Sequence, residues 1–205
     1  MMEKVAPVAR LTLHHELIRK GVHLATASIP VAYFLGTPRG TIEALLAVAS
    51  VIALLVEGSR RASTRIGAAF ERAFGVLLRQ RERTAITGAT WLVLACLGAV
   101  LVFSRSAAIA ALWCATVGDP AATIAGRVWT AARVPPADTR TGKTIIGSLA
   151  CIALSFAGAW MLAGYALPQA LTIAVAAAAA EGLPGRLNDN VRVTGAAGAI
   201  AQMLA

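Results

Sequence analysis

The stretch TRTGKTIIGSLACIALSF, Thr139–Phe156, joins a short polar segment to a long apolar one. It begins with Gly-Lys-Thr, the ending of a phosphate-binding P-loop, but that motif requires a glycine where this chain has Ala137. Pro135 and Pro136 also argue against the strand that precedes a P-loop, because proline withholds a backbone donor. The stretch instead predicts a helix that begins near Lys143 and enters an apolar environment.

Composition extends this interpretation to the whole chain. Of the 205 residues, 58% are hydrophobic and 14% are charged, and the mean hydropathy is +0.70. Soluble domains carry about 25% charged residues, whereas several runs here approach the roughly 20 apolar residues that cross a bilayer as a helix. The predicted fold class is therefore an all-α polytopic membrane protein, a single transmembrane domain over residues 1–205. No cleavable signal is expected, because the N-terminus is charged and further spans follow the first.

Seven transmembrane helices are predicted, and the basic residues orient them. Of the 19 lysines and arginines, only Arg39 and Arg105 fall in turns on one side. The positive-inside rule then places the N-terminus inside and the C-terminus outside. A nucleic-acid partner, the alternative suggested by a pI near 10.7, is not expected, because the charges flank apolar segments. The predicted spans are residues 14–36, 41–57, 86–103, 107–126, 143–164, 167–181 and 194–205.

Residues 59–84 form the longest polar stretch and predict an amphipathic cytoplasmic connection. Apolar residues recur there at helical spacing, and Arg65, Arg72 and Arg79 recur every seven residues on another face. Such a helix either lies in the interface against anionic lipid or is a solvated connection. The three cysteines all lie in apolar spans and are expected to be buried packing residues.

The first span begins with the polar sequence HHELIRKGVH, His14–His23. Glu16, Lys20 and His23 share one helical face, and a glutamate four residues before a lysine is a favourable order for an ion pair. Arg19 and Lys20 are equally explained as cations that anchor the helix at the inner interface. His23 lies a turn deeper, where an anchoring role explains it less well.

The fourth span contains CATVGDPAATIAGR, Cys114–Arg127, in which Pro120 follows Asp119. A carboxylate inside an apolar span is costly and by default marks a functional site, although helix capping also explains it. We expect the helix to break here, with Asp119 capping a second half-helix that starts at Pro120. Small residues recur every four positions from Gly118, which permits close approach of another helix.

Four charged side chains are expected to meet at the inner face. Lys143 begins the fifth span, Glu181 ends the sixth, and Asp189 lies in the turn LNDN at Leu187–Asn190. With Asp119 they can assemble a Mg²⁺–polyphosphate site, because Mg²⁺ takes one or two carboxylates and phosphate oxygens. Lys143, at a helix start that favours anions, would stabilise phosphate charge. The alternatives are an anchoring cation at Lys143 and ordinary turn chemistry at Asp189.

The motifs RKGVH, GDPAATIAG, GKTIIGS and EGLPGRLNDN, in this order over about residues 16–195, resemble those of the dolichol kinase, phytol kinase and CTP-dependent diacylglycerol kinase family. The two central motifs are also similar to those of CDP-diacylglycerol synthases. The resemblance implies transfer of a phosphoryl group from CTP, or another nucleoside triphosphate, to a polyprenol, a phytol-like alcohol or diacylglycerol. The expected location is the bacterial inner (plasma) membrane, with the site facing the cytoplasm.

The family's motifs imply roles for residues of this chain. The catalytic residues expected are Asp119, Lys143, Asp189 and His23, and the base could be any of Asp119, Asp189 or His23. The nucleotide and phosphate contacts expected are Arg19, Lys20, Lys143, Thr144, Gly147, Ser148 and Asn190. The Mg²⁺ ligands expected are Asp119, Asp189 and Glu181. Ile146 stands where the family commonly has glutamate, so one family contact is missing.

Two other functions remain open at this point. A cytidylyltransferase that forms a CDP-lipid would use the same motifs. A non-enzymatic transporter or lipid-binding protein would use the same buried charges.

Overall fold

The computed structural model describes residues 13–132, 143–183 and 187–205, and this part of the chain is helical without strands. The all-α prediction is confirmed, and a helical segment lies over each of the seven predicted spans. A π-helical turn at Cys114–Gly118 joins α6 to α7, and two 3₁₀ turns follow α4. The helices are α1 Leu13–Ala25, α2 Ser28–Phe34, α3 Arg39–Ala62, α4 Thr64–Phe74, α5 Gly88–Val102, α6 Arg105–Trp113, α7 Asp119–Ala131, α8 Ile145–Met161, α9 Leu167–Gly182 and α10 Asp189–Leu204.

Within the residues that the structure describes, two helical segments are long and apolar enough to cross a membrane by length and composition. They differ in their surroundings. The segment Arg105–Ala131 combines α6, the π turn and α7. In its most apolar stretch 78% of the residues are buried, and the segment forms the centre of the bundle. In the most apolar stretch of helix α3 only 22% of the residues are buried, so most of its apolar surface faces outward.

Helices α7 and α8 pack through two stripes of small residues. A Cβ atom added at Gly126 would lie 2.7 Å from the Thr144 Oγ1 atom, and one added at Gly147 would lie 2.6 Å from the Ala122 carbonyl oxygen. Real Cβ atoms essentially never approach other atoms so closely. The predicted close approach is therefore confirmed, and it places the start of α8 against the middle of α7.

The predicted break at Pro120 is wrong, because the helix continues through it. Gly118 and Asp119 both have right-handed helical backbone angles, and no side chain caps the start of α7. The π turn at Cys114–Gly118 accommodates a proline that has no N–H to donate. The Asp119 carboxylate is consequently available to side chains of other helices.

The first predicted span breaks instead, between α1 and α2. Pro30 has no N–H group for the Thr26 carbonyl four residues earlier, and the Ile29 N–H donates to that carbonyl at 3.0 Å. The Thr26 hydroxyl donates to the His23 carbonyl at 2.5 Å. Helix α1 therefore ends just after His23 and packs against α7, whereas α2 packs against α6.

The two ends of the bundle differ in charge, as the sequence predicts. Arg39 donates to the carbonyls of Leu101, at 2.9 Å, and Phe103, at 3.4 Å. Arg105 donates to the Tyr33 carbonyl at 2.5 Å. The two basic residues predicted to share one side thus lie together at one end, and a cleft with several basic side chains lies at the other.

The predicted amphipathic connection over residues 59–84 is shorter than expected. Helix α3 continues to Ala62, and the amphipathic helix itself is α4, Thr64–Phe74. The rings of Phe70 and Phe74 lie 5.0 Å apart on one face of α4. Two 3₁₀ turns, not further α-helix, lead from α4 to α5.

Candidate functional site

A polar cleft of about 270 Å³ lies at the basic end of the bundle. Side chains of α1, α7, α9 and α10 and the start of α8 line it. The cleft brings together most of the predicted site residues, which come from distant parts of the sequence. The predicted residues that line it are Arg19, Lys20, Asp119, Lys143, Thr144, Gly147, Glu181, Asp189 and Asn190.

A buried ion pair joins α1 to α7 in this cleft. The Lys20 ammonium donates to the Asp119 carboxylate at 2.5 Å, and each side chain is 4% exposed. The predicted pair of Glu16 with Lys20 is wrong. Because α1 packs on α7, Lys20 faces Asp119, and a buried charge that lacked such a partner would be strongly destabilising.

Glu16 instead forms ion pairs with arginines. Its carboxylate accepts from Arg19 at 2.8 Å and lies 3.6 Å from Arg79 and 3.9 Å from Arg127. Arg79 and Arg127 were not among the predicted site residues. Arg127 lies two helical turns after Asp119, so its spacing on α7 could have indicated it, whereas Arg79 belongs to the irregular connection before α5.

Lys143 lies between two carboxylates from different helices. Its ammonium donates to Glu181 and is 3.6 Å from the Asp189 carboxylate. Glu181 is buried, whereas the Asp189 side chain is 36% exposed and also pairs with Arg192. The predicted convergence of Lys143, Glu181 and Asp189 is thus observed, and the two carboxylates share the Lys143 ammonium.

Helix α8 begins as predicted, beside Lys143. The Thr144 hydroxyl accepts from the Gly147 N–H at 3.0 Å and so caps the helix. Thr144 and Gly147 line the cleft. Ser148 does not, because the next residue of a helix is rotated by about 100°, and its hydroxyl lies toward Gly182.

Helix α10 begins at Asp189, five residues before the predicted span. The Asn188 side chain accepts from the Asn190 N–H at 3.0 Å, which is the expected turn chemistry. The Asn190 side chain donates to the Gly88 carbonyl at 2.9 Å and ties α10 to the start of α5.

His23 lies outside the polar cleft, in the lining of a neighbouring apolar cavity of about 380 Å³. Its Nε2 atom is buried and has no hydrogen-bond partner among the described residues. Its ring interacts with the backbone of Ala115. Arg19 and Asn190 line both the polar cleft and the apolar cavity, so the two spaces adjoin.

The donor set fits Mg²⁺ in one part of the cleft. Within residues 13–132, 143–183 and 187–205, no group of three or more His, Cys, Asp or Glu side chains is placed to hold a metal. Glu181 and Asp189 already share one cation, Lys143, and Mg²⁺ bound with a polyphosphate needs only one or two carboxylates. This pair fits such an ion. Asp119 contacts Lys20, and its role as a third ligand stays a prediction.

A second cluster of buried charge lies where α3 meets the connection to α5, and sequence analysis missed it. Arg60 donates to Glu57 at 2.9 Å and to the carbonyls of Glu82, at 3.0 Å, and Ala85, at 2.6 Å. The Glu57 carboxylate accepts from the Thr87 N–H at 2.8 Å. This cluster holds the connection on α3 and thereby places Arg79 near the cleft.

Comparison with protein-family models, curated proteins and solved structures finds no match to this chain. The cleft itself is therefore the basis for a function. Among the described residues, four carboxylates and five basic side chains line it. Such a mixture suits a metal-bound polyphosphate, because the basic groups bind phosphate oxygens and the carboxylates bind the metal. The basic residues are Arg19, Lys20, Arg79, Arg127 and Lys143.

Proposed function

We propose that this chain is a polytopic membrane enzyme that transfers the γ-phosphoryl group of CTP, or of another nucleoside triphosphate, to the hydroxyl of a lipid alcohol. One observation carries the proposal. A charged cleft, lined by lysine ammonium groups and by the start of helix α8, adjoins an apolar cavity at the basic end of an apolar bundle. A water-soluble nucleotide requires a charged site such as the cleft, and a lipid requires an apolar site such as the cavity.

The outer surface supports a membrane location. Leu45, Val48, Ile52 and Leu55 of α3 are 56–65% exposed, and soluble monomers rarely expose a contiguous apolar surface of this kind. The basic cleft then faces the cytoplasm by the positive-inside rule. The proposed arrangement has seven spans, the N-terminus inside and the C-terminus outside, in the bacterial inner membrane.

The opposite end of the bundle agrees with this orientation. The Gln202 side chain, near the end of α10, accepts from the Ser104 N–H at 2.7 Å. The C-terminal end of α10 thus lies beside the start of α6 at Arg105, away from the cleft.

The cleft residues provide positioning and charge stabilisation, which are the main requirements of phosphoryl transfer. Lys143 would bind a phosphate oxygen, and the start of α8 beside Thr144 offers a favourable helix dipole. Lys20, fixed by Asp119, would hold a second phosphate oxygen. Glu181 and Asp189 would hold Mg²⁺, which when bound neutralises phosphate charge.

The reaction balances without a further co-reactant. The oxygen of the lipid hydroxyl forms a bond to the γ-phosphorus, while the bond from that phosphorus to the β,γ-bridging oxygen breaks. The nucleoside diphosphate leaves with the bonding electron pair. The hydroxyl proton passes to a base, for which Asp119, Asp189 and His23 are the candidates.

Purified protein incubated with labelled CTP, Mg²⁺ and a panel of lipid alcohols tests the proposal. We expect CDP and a lipid monophosphate. Pyrophosphate and a CDP-lipid would instead identify a cytidylyltransferase. No turnover with any nucleotide or lipid would contradict an enzymatic function and favour transport or lipid binding. Arg65→Ala, an exposed substitution on α4 outside the cleft, is the matched control for variants of the cleft lysines.

A further inference from the structure

Helix α4 follows the outward-facing helix α3 after a single residue, and this connection fixes its position. Helix α3 ends at Ala62 and α4 begins at Thr64. A Cβ atom added at Gly67 would lie 2.7 Å from the Arg60 carbonyl oxygen, so the backbone of α4 packs directly against the last turn of α3. If α3 crosses the membrane, α4 therefore lies at the level where α3 leaves it, at the basic end of the bundle.

One side of α4 is apolar and only partly covered by the rest of the protein. Ile66, Phe70 and Phe74 recur every fourth residue, and Val76 follows in the next turn. The Phe70 ring is partly buried and lies 5.2 Å from the Arg60 guanidinium. Ile66, Phe74 and Val76 are 47%, 48% and 53% exposed. The described part of the bundle thus leaves about half of this apolar side uncovered.

The other side of α4 and the connection that follows it carry positive charge. Successive residues are about 100° apart around a helix, so Arg72 lies roughly opposite the two phenylalanines of α4. Residues 61–83 contain six arginines and two glutamates, a net charge of +4. All six arginines are exposed, whereas Glu82, one of the two glutamates, is buried. The charge on this surface is therefore almost entirely positive.

An anionic membrane surface suits both sides of α4 at once. A helix with one apolar and one basic side lies in the plane of the interface, with its apolar residues at the boundary of the acyl chains. Anionic headgroups attract basic residues beside them through the negative surface potential of the leaflet. An acidic soluble protein would also contact the arginines, but it would not explain the uncovered apolar side at the level where α3 leaves the membrane.

We propose that α4 lies on the inner leaflet and binds anionic phospholipid headgroups, with Arg72 and the neighbouring exposed arginines among the headgroups and Ile66, Phe74 and Val76 against the acyl chains. The inference rests on the membrane location in the proposed function and not on the reaction. Helix α4 is thereby an interfacial helix of this chain and not a solvated connection.

Fluorescence quenching on the full chain in vesicles tests where α4 lies. The three native cysteines are buried, so a bimane label should react with single introduced cysteines, and the unsubstituted chain gives the background. Ala68 and Ala73 are both exposed. Ala73 lies two helical turns after Ile66 on the apolar side, and Ala68 lies one turn before Arg72 on the basic side. These two alanines form a matched pair of label sites.

The two labels should respond to different quenchers. In vesicles of equimolar phosphatidylcholine and phosphatidylglycerol, lipids with brominated chains should quench the label at Ala73→Cys, because that side faces the acyl chains. Iodide in the water should quench the label at Ala68→Cys, because that side faces the headgroups and the solvent. Equal aqueous quenching of both labels would overturn the docking of α4 on the membrane.

The role of the anionic headgroups is tested by removing one arginine. Each basic residue near an anionic surface contributes to binding, so Arg72→Gln should shift the balance between docked and undocked α4 about fivefold toward the undocked state. It should have no effect in vesicles of phosphatidylcholine alone. Arg39→Gln, at an exposed arginine of the opposite end, is the matched control and should leave the quenching unchanged. High salt should weaken docking of the chain that retains Arg72, because it screens the surface charge.

A label on α3 separates this inference from the membrane location itself. Leu55, on the outward face of α3, is 65% exposed, and a label at Leu55→Cys should be quenched by brominated lipids. Lipid quenching at Leu55 with aqueous quenching of both α4 labels would leave α3 in the membrane and make α4 a solvated helix or the contact of a soluble partner. Lipid quenching at Ala73 that is insensitive to phosphatidylglycerol, salt and Arg72→Gln would overturn the role of anionic headgroups. No lipid quenching at either helix would contradict the membrane location and the docking together. None of these measurements requires turnover, so they decide the inference whether or not the proposed reaction occurs.

Discussion

Two clusters of buried charge lie at the same end of this molecule, and they differ in what their charges contact. In the Arg60–Glu57 cluster, the guanidinium donates to a carboxylate and to backbone carbonyls, and the carboxylate accepts from a backbone N–H. In the cleft, Lys20 and Lys143 contact carboxylates from other helices and face open space. Buried charge alone therefore does not identify a site; charge that faces a cavity does.

Exposure gives the comparison a measurable form. The side chains of Arg60 and Glu57 are 4% and 5% exposed, and those of Lys20 and Asp119 in the cleft are equally buried, whereas those of Lys143 and Asp189 are 29% and 36% exposed. A charge that loses its partner in the first cluster stays buried and uncompensated. Lys143 and Asp189, which are partly exposed, can be hydrated or can bind a ligand after losing a partner. Variants of the first cluster should change stability, those of Lys143 should change function, and those of the buried Lys20–Asp119 pair should change both.

The largest expected effect is on stability, at Arg60. Arg60→Met retains much of the apolar volume but leaves Glu57 without its buried cation, so the free energy of unfolding should fall by about 3–5 kcal/mol. Turnover by the folded fraction should change little. Denaturant unfolding in detergent, with kcat measured on the purified folded protein, checks both. A turnover loss comparable with that of cleft variants would remove the distinction between the clusters.

Variants of Asp119 test whether its ion pair with Lys20 is functional or only structural. Asp119→Asn should lower turnover of the folded protein by about a thousandfold, about 4 kcal/mol in activation free energy, because Lys20 loses the group that holds it against the phosphate. It should also lower stability, because Lys20 stays buried without its partner. The double variant Lys20→Met, Asp119→Leu removes both buried charges and should fold well.

The double variant separates the two roles of this pair. A structural pair would regain activity in the double variant, whereas a functional pair would remain inactive. Near-normal turnover of Asp119→Asn at saturating Mg²⁺ would reduce Asp119 to a structural residue. Circular dichroism and gel filtration establish that each variant is folded.

The sequence predicts the helices and much of the cleft for identifiable physical reasons. Hydropathy places the helical segments, and the small residues at Gly126 and Gly147 indicate the close packing of α7 on α8. Lys143, Glu181 and Asp189 each lie near the same predicted end of a span, so helix direction alone brings them to one end of the bundle.

The remaining features depend on contacts that local patterns do not encode. Lys20 has a helical neighbour in Glu16 but pairs with Asp119, 99 residues away, because the packing of α1 on α7 decides between them. Pro30 breaks its helix and Pro120 does not, because a π turn accommodates the second. The unpaired Nε2 atom of His23 is visible only once the surrounding helices are in place.

Variants of Lys143 separate the effect of side-chain shape on turnover from the effect of charge. Lys143→Ala should lower turnover by about a hundredfold, about 2.7 kcal/mol, with little loss of stability, since the side chain is 29% exposed. Lys143→Arg should lower it by about tenfold, because a planar guanidinium does not superimpose on an ammonium at a phosphate. If the arginine variant matches the unsubstituted protein in nucleotide turnover, Lys143 is an anchoring cation and not a phosphate ligand.

The smallest effect is expected at the opposite end of the bundle, where an ion pair is neither buried nor beside a cavity. Arg39 donates to Glu43 at 2.7 Å, and the two side chains are 46% and 30% exposed. Solvent screens such pairs, so Glu43→Gln should leave both the free energy of unfolding and turnover nearly unchanged. The same unfolding and turnover assays check this. Loss of activity in Glu43→Gln would mean that charge matters wherever it occurs in this bundle, and contact with a cavity would then no longer distinguish the functional charges from the others.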